Sequence, residues 1–455
     1  MAGPSNPRNV ASLPLPPLNP LPYKERLAAC RSFHTGADVL RDAGGPVTRF
    51  ALAPKWLMPP LVVVTSPQGM RDVVACRNGS IDKTSGVPLQ MRRLIGPNLF
   101  VVPWEEWKPR RRTLQPLFTK QAVKSFAGHM ATATASVCGA WQDGSEVDLD
   151  AEARKLTARA LGHSVLGLES TRENDSLAEP MRAVVSYAVS RTISPIQTPH
   201  WLPTPGRRRA RRAAAVLRKA ALDIVRACRA DPNHRAPLVQ QLIAATDPAT
   251  GEPLTDNEIA DELIIFVFAG HDTTATAISY ALWQLGRNRD IQDRVAAEVA
   301  KLDDSELTAE DIPQLGYTIQ VLKEAMRLCP PGATGSRMTT RDVEVGGYRI
   351  PAGTMLVVSR ISIHRDPALW PEPLRFDPDR FTEDASKGRD RWQYVPFGGG
   401  PRGCIGDHFA MLEATLALAT IIRLAEIDSL SEDFPIKAPF TLVAGGPILA
   451  RIKLR

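Results

Sequence analysis

The sequence contains no uninterrupted apolar run of the roughly 18 residues that a membrane-crossing helix requires. Nor does it open on the charged-then-apolar pattern of a secretion signal, because Pro4, Pro7, Pro14, Pro16, Pro17, Pro20 and Pro22 break the first segment. A soluble, cytoplasmic protein is expected, with membrane contact at most peripheral. Cysteine is scarce and scattered: Cys30, Cys76, Cys138, Cys228, Cys329 and Cys404 form no CxxC pair and no Cys/His spacing, so neither a disulfide framework nor a zinc site is suggested. All but Cys404 read as small core residues. No internal repeat and no long polar linker is present, so the 455 residues read as one large unit. The formal charge of +7 fits nucleic acid, an acidic protein or an anionic membrane equally well. Without aromatic interleaving or a recognisable motif, a nucleic-acid partner is not expected.

What is present is ample core material, with 44% of residues hydrophobic. Residues 1–22 form a Pro-rich arm that reads equally as a docking strap or as disorder. Residues 23–455 read as one domain. A helix is expected around Lys24 to Ala43, followed by β-branched strands near Val47 to Leu52 and Leu61 to Ser66. From about Thr119 to Leu302 the apolar spacing is mostly helical. Strand signals return in VEVGGYRIPAGTMLVV, read as a hairpin pair turned at Gly346-Gly347 and at Pro351-Ala352-Gly353. The fold class is mainly α with a smaller β portion.

The clearest helix starts at LTDNE, where Thr255 and Glu258 make a capping box, and runs to Gly286. Its stretch from Leu263 to Ala269 is apolar on every face and is expected to be buried on every face. Gly270, His271, Asp272, Thr273 and Thr274 then bring polar groups where water should be scarce, and such groups need partners or a task. A polar stripe facing another helix and a reaction site are both open readings of this run. Further on, YTIQVLKEAMRLCPP is a helix stopped by Pro330-Pro331, with Glu324 and Arg327 on one face. PEPLRFDPDRF offers Arg380 as a third member of that ion cluster.

The most unusual stretch is FGGGPRGCIG, Phe397 to Gly406, directly before the helical run IGDHFAMLEATLALATIIRLAEI. Free backbone N–H groups at a helix start are expected to lower the pKa of the Cys404 thiol, and the glycines let a flat ligand approach the sulfur. A Walker A loop would need Gly-Lys-Ser/Thr at its end, and a dinucleotide fingerprint has no central cysteine. A nucleophilic cysteine would need a histidine base, but His408 lies one helical turn further on. A metal-ligating thiolate fits best.

Taken in order, AGHDTT, EAMR, DPDRF and FGGGPRGCIG closely resemble the cytochrome P-450 haem-thiolate monooxygenases, and the resemblance covers essentially the whole chain. It implies the family's fold, a single large domain over residues 23–455 with a long central helix over haem b. It implies Cys404 as the axial iron ligand within the pattern Phe397, Gly400, Arg402, Cys404, Gly406. Trp107, Arg111, Arg337 and Arg402 match residues that bond haem propionates, while Trp104 reads as packing. Pro109 departs from the pattern, so the register of Arg110, Arg111 and Arg112 is open by one residue. Glu324, Arg327 and Arg380 match a buried structural cluster, and Asp272 and Thr273 an acid–alcohol pair that delivers protons to bound dioxygen.

The implied activity is insertion of one oxygen atom from dioxygen into a hydrophobic lipid, terpenoid, sterol or polyketide. Electrons would come ultimately from NAD(P)H through a ferredoxin and its reductase or another donor, since no flavin, iron–sulfur or nicotinamide segment is present. Arg110 and Arg112 are candidate docking cations for that donor on the cysteine side. Phe266, Ala269 and Thr334, with Leu89 to Val102 and the linker Ile193 to Leu202, are expected to line the substrate pocket. A peroxygenase or isomerase, and a non-catalytic haem sensor or carrier, are the alternatives. The run GRRRARR, Gly206 to Arg212, reads as a solvated face or a membrane-surface patch.

Overall fold

The computed structural model describes residues 10–167, 171–194, 198–199, 201–231, 233–303 and 305–455. Its longest element is the helix Asp256–Arg287, capped as the sequence suggests. The Glu258 N–H donates to Thr255 Oγ1 at 3.3 Å, and the Thr255 N–H donates to Glu258 Oε2 at 2.9 Å. This central helix has 32 residues and spans about 48 Å. Four others pack along it: the flanking helix Leu149–Leu161, the basic helix Pro205–Ala230, the ion-pair helix Gly316–Leu328 and the cysteine helix Asp407–Leu424. Their apolar faces join in one continuous core.

The strands are β1 (Val47–Phe50), β2 (Leu61–Val64), β3 (Ile81–Asp82), β4 (Glu146–Asp148), β5 (Thr334–Thr339), β6 (Val343–Val345), β7 (Tyr348–Ile350), β8 (Met355–Ser359), β9 (Ala425–Ser429), β10 (Ile436–Lys437), β11 (Val443–Ala444) and β12 (Leu449–Leu454). The main sheet has the order β1-β2-β8-β5-β3, with β2 and β8 parallel and Leu61 opposite Met355. Alternate residues enter two cores. Val62, Val64, Leu356 and Val358 lie in one, and Leu61, Val63, Met355 and Val357 in the other.

Two local expectations change. The helix expected at Lys24 to Ala43 is two helices, Tyr23–Arg31 and Phe33–Gly44, broken at Ser32. They pack so closely that a side chain on Gly36 would sit 2.1 Å from the Ala29 carbonyl oxygen. The Gly346-Gly347 turn does join β6 to β7, but β8 leaves that hairpin to pair with β2 and β5. Pairing β8 in the middle of the larger sheet buries it on both faces, which a two-stranded hairpin could not do.

Residues 10–22 are a strap. The Asn19 N–H donates to the Arg49 carbonyl, the Arg49 N–H to the Pro17 carbonyl (both 2.9 Å), and the Arg349 N–H to the Pro14 carbonyl (2.8 Å). Proline lacks an N–H but keeps its carbonyl, so the arm can accept hydrogen bonds along its length. Among the described residues no helix is long and apolar enough to cross a membrane.

Candidate active site

The central helix is buried from Ile259 to Ile265 and again from Thr274 to Leu285. Between these stretches Phe266, Val267 and Phe268 are half-buried and Ala269 is exposed, so burial on every face fails here. Accessible surface in the middle of a helix enclosed by other helices requires an internal hollow. The residues that this helix turns towards it, Phe266 to Ala269, are apolar, which is why the sequence pattern resembles solid core. Phe266 meets Phe118 edge to face with ring centroids 5.1 Å apart, and Thr334 is half-buried on β5. Leu99, Val101 and Val102 are buried. Residues 195–197 and 200 of the expected lining linker lie outside the described residues.

Cys404 is also accessible, although it sits in a tightly folded loop. Its N–H donates to the Phe397 carbonyl at 2.9 Å, closing the loop. Gly398 and Gly400 adopt φ of 71° and 67°, in the left-handed region. A side chain on Gly400 would sit 2.0 Å from the Val74 carbonyl oxygen, so this glycine is dictated by the protein itself. Gly406 meets nothing within 4 Å, so no protein atom accounts for a glycine there. The thiol does not follow the expected depression. Although the residue has accessible surface, it lies deep among protein atoms, and that desolvation pushes the Cys404 thiol up to about 11, against the Gly406 N–H, Arg111 and Lys83, which pull it down. The cysteine helix begins only at Asp407, whose own charge also raises the thiol. Binding to a metal cation would deprotonate such a thiol outright.

Around this loop stands an excess of buried positive charge. Three consecutive arginines of the helix Trp104–Leu114 diverge because successive helical residues point about 100° apart. Arg110 binds Glu262 (2.8 Å) and Glu258 (3.1 Å), Arg112 binds Asp247 (2.6 Å), and Arg111 alone donates to the Gly403 carbonyl of the cysteine loop (3.1 Å). Both candidate docking cations therefore already carry ion pairs, Arg110 nearly buried and Arg112 still 46% exposed. Pro109 is accommodated inside this helix without ending it.

Trp107 stacks on Trp104 at 5.1 Å, and Arg402 lies over Trp107 at 5.2 Å. Arg402 donates to the Val102 carbonyl (2.9 Å) and to Asp82 (2.7 Å), and its Nε has no partner. Lys83 donates to the Phe100 carbonyl (2.9 Å) and Arg337 to the Ser336 carbonyl (2.8 Å). Arg360 donates to the carbonyls of Thr334 (2.7 Å) and Gly332. Burial lowers all four cations, Lys83 far below its ordinary value and Arg337 and Arg360 to about 10, and repulsion from neighbouring arginines adds to it at Lys83 and Arg337. Asp82 is the one carboxylate that acts on Lys83, Arg337 and Arg402 together. Such a set fits a flat group that carries two carboxylates, as haem does with its propionates.

On the central helix, Thr273 Oγ1 donates to the Ala269 carbonyl at 2.6 Å, one turn back. Asp272 accepts from Arg154 Nη1 of the flanking helix at 2.5 Å, and Arg154 also holds Asp150 at 2.7 Å. His271 Nδ1 shares a hydrogen bond with Thr157 Oγ1 at 3.1 Å. The two helices approach closely at Gly270, where a side chain would touch Leu161 at 3.0 Å. Thr274 faces Glu413 of the cysteine helix. Glu413 is fully buried, neither carboxyl oxygen has a well-formed hydrogen bond, and burial pushes it well above the ordinary carboxyl value.

The ion cluster holds the backbone that leads into the cysteine loop. Glu324 and Arg327, both fully buried, make bonds of 2.7 and 2.8 Å, and Arg380 Nε lies 3.4 Å from Glu324. Arg327 also donates to the carbonyls of His364 (2.8 Å), Pro373 (2.7 Å) and Arg375 (3.1 Å). His364 Nε2 in turn accepts from the Val395 N–H (2.9 Å), two residues before Phe397. Sequence reasoning missed Arg154, Asp82, Lys83, Arg360 and Glu413. Of these, only Arg154 left a local trace, its four-residue spacing from Asp150.

Residues 16–446 match the profile of the cytochrome P-450 family. Cyclooctat-9-en-7-ol 5-monooxygenase of Streptomyces melanosporofaciens is 34% identical over 358 residues, 78% of this chain and 77% of that protein. Pentalenene oxygenase of Streptomyces avermitilis is 31% identical over 73% of this chain and 74% of its own length. The structure of the retinoic-acid-bound cyanobacterial CYP120A1 matches with a TM-score of 0.83 at 26% identity, covering 98% of this chain and 100% of that one. Profile, oxygenase relatives and shared fold agree with the cysteine loop and its cations, and on these grounds the chain belongs to the cytochrome P-450 family of haem-thiolate monooxygenases.

Proposed function

We propose that this enzyme oxygenates a hydrophobic, terpenoid-like substrate, with electrons drawn from NAD(P)H through a separate ferredoxin and reductase or a comparable donor, in the cytoplasm. The observation that carries the reading is the accessible Cys404 thiol, acted on by Arg111, Lys83 and Arg360, in a fold whose central helix turns accessible at Ala269. Residues 23–455 act as one catalytic unit, and the Pro-rich arm is its strap.

Cys404 Sγ would ligate the iron, the Phe397 to Gly406 loop would wrap the sulfur, and Trp107, Arg111, Arg337 and Arg402 would hold the propionates, with Lys83 as a further donor. Haem ligated by a thiolate supplies activation of dioxygen for attack on C–H bonds. The chain's own residues supply the rest. Phe266, Ala269 and Thr334 hold an apolar substrate and exclude water. Thr273 Oγ1 orders a water beside the oxygen site, and Asp272, anchored by Arg154, passes protons inward from the flanking-helix side. The terpenoid assignment leans on the relatives that are named for cyclooctat-9-en-7-ol and pentalenene.

The test is Thr273→Ala in the reconstituted enzyme. Hydrogen peroxide should replace product as electrons are consumed; tight coupling with unchanged product yield would remove Thr273 from proton delivery.

A further inference from the structure

Of the cations that stand around the cysteine loop, four have a carboxylate of the protein acting on them. Asp82 acts on Lys83, Arg337 and Arg402, and Asp407 acts on Arg111. Arg360 differs. Among the described residues no carboxylate acts on it, and the one charge that favours its guanidinium is that of Cys404, which binding to iron would occupy. Arg327 and Arg110 are also withdrawn from water, but Glu324 and Glu262 pair with them. A desolvated cation without an anion is strongly unfavourable, so Arg360 calls for a compensating group from outside the chain.

The fold accounts for two of its side-chain nitrogens and leaves one over. Arg360 opens the short helix Arg360–His364 that follows β8, and its backbone N–H donates to the Ala333 carbonyl at 2.8 Å. Nε donates to the Gly332 carbonyl and Nη2 to the Thr334 carbonyl at 2.7 Å, so the side chain lies along the segment that enters β5. Among the described residues Nη1 has no partner, yet protein does not seal it in, because Arg360 is only half-buried. A side chain on Gly335 would come within 3.3 Å of Nη1, and glycine keeps the space beside this nitrogen open. Thr334, whose carbonyl the same guanidinium holds, is the β5 residue read as pocket lining. The unused donor therefore stands at the edge of the hollow, facing a ligand space that Phe266 to Ala269 keep apolar on the opposite side.

We propose that Arg360 binds a carboxylate carried by the substrate, so that the terpenoid-like compound oxygenated here is a terpenoid acid. The inference rests on the reading of the hollow as a terpenoid oxygenase pocket and narrows it. Haem brings two carboxylates of its own, and these together with Asp82 and Asp407 balance Lys83, Arg111, Arg337 and Arg402. Arg360 remains for a further anion. A guanidinium holds a carboxylate through charge-assisted bonds, and in an otherwise apolar pocket one such contact decides which end of the substrate is anchored and which is offered for reaction.

The test is a binding titration of the purified holoprotein, followed by haem difference spectra and by calorimetry, with abietic acid and farnesoic acid, each beside its methyl ester and its alcohol. At a pH where the acids are ionised, the parent should bind each acid roughly tenfold more tightly than its ester. Arg360→Met should abolish that preference and leave ester affinity within about twofold, and Arg360→Lys should restore part of it. Gly335→Ala keeps both carbonyl bonds of Arg360 but crowds Nη1, so it should weaken the acids alone, and it carries the test if Arg360→Met does not fold. Transfer of haem to apomyoglobin separates a substrate carboxylate from a haem propionate: Arg360→Met should lose haem at the parent's rate. Faster loss, with acids and esters weakened together, would assign Arg360 to a propionate and overturn the proposal, as would equal affinity of the parent for acid and ester. In both cases the terpenoid reading stands. A parent that binds none of these compounds removes that reading, and this inference with it.

Discussion

Asp272 of the central helix and Arg154 of the flanking helix are joined by a 2.5 Å ion pair, and Arg154 is itself braced by Asp150 one helical turn away. If the pair works as one unit in proton delivery, its members should fail non-additively. Asp272→Asn should lower turnover by roughly 100-fold, and Arg154→Gln should lower it less, with more peroxide released per electron. The double variant should then be no slower than Asp272→Asn alone. Losses that multiply would show that Arg154 serves only to hold the two helices together.

Glu324 and Arg327 are both fully buried, so neutralising one leaves an uncompensated charge in the core. Glu324→Gln is expected to cost about 3–5 kcal/mol in denaturant unfolding. Arg380→Gln should cost distinctly less, because Arg380 makes a longer 3.4 Å contact at the edge of the cluster. Equal losses would mean that the three act as a single network.

Glu413 gives a dependence on pH. Its folded carboxyl is raised by burial, so the folded protein keeps a proton that the unfolded chain releases at about pH 4.3. Its contribution to stability is complete below that value and is lost as pH rises towards the raised one. Glu413→Gln keeps the shape without the ionisation and should flatten the decline in melting temperature as pH rises above about 5. His364, held down to about 3 by burial, acts in the opposite sense, but both proteins contain it. Parallel slopes would show that Glu413 does not titrate differently on folding.

The glycines of the cysteine loop separate protein demands from cofactor demands. Gly400→Ala forces a side chain into the Val74 carbonyl at a left-handed φ, and should destabilise the protein whether or not haem is supplied. Gly406→Ala meets no protein atom within 4 Å, so it should leave folding intact and weaken haem retention in a competition with apomyoglobin. The reverse ranking would reassign both glycines.

How much the sequence disclosed follows the distance between partners. Thr255 with Glu258, Glu324 with Arg327, and the Phe397 to Gly406 loop are local patterns, and each carries its own geometry. Arg154 with Asp272 and Arg402 with Asp82 are 118 and 320 residues apart, and no periodicity connects them. Burial misled in two places. The apolar stretch ending at Ala269 resembles core because a hollow and a core want the same side chains, and the helix-start argument for Cys404 omitted the larger effect of desolvation. Arg110 and Arg112 could be assigned to different helix faces from spacing alone, but not to their carboxylates.

The parallel pairing of β2 with β8 has a consequence for biogenesis. On a ribosome, Leu61 to Val64 emerge long before Met355 to Ser359 are translated, and the strap at Pro14 waits for Arg349. The nascent chain must carry two apolar strand surfaces and an undocked leader through most of its elongation, a state open to premature association. Slowing translation late in the message should therefore lower the soluble yield more than slowing it early.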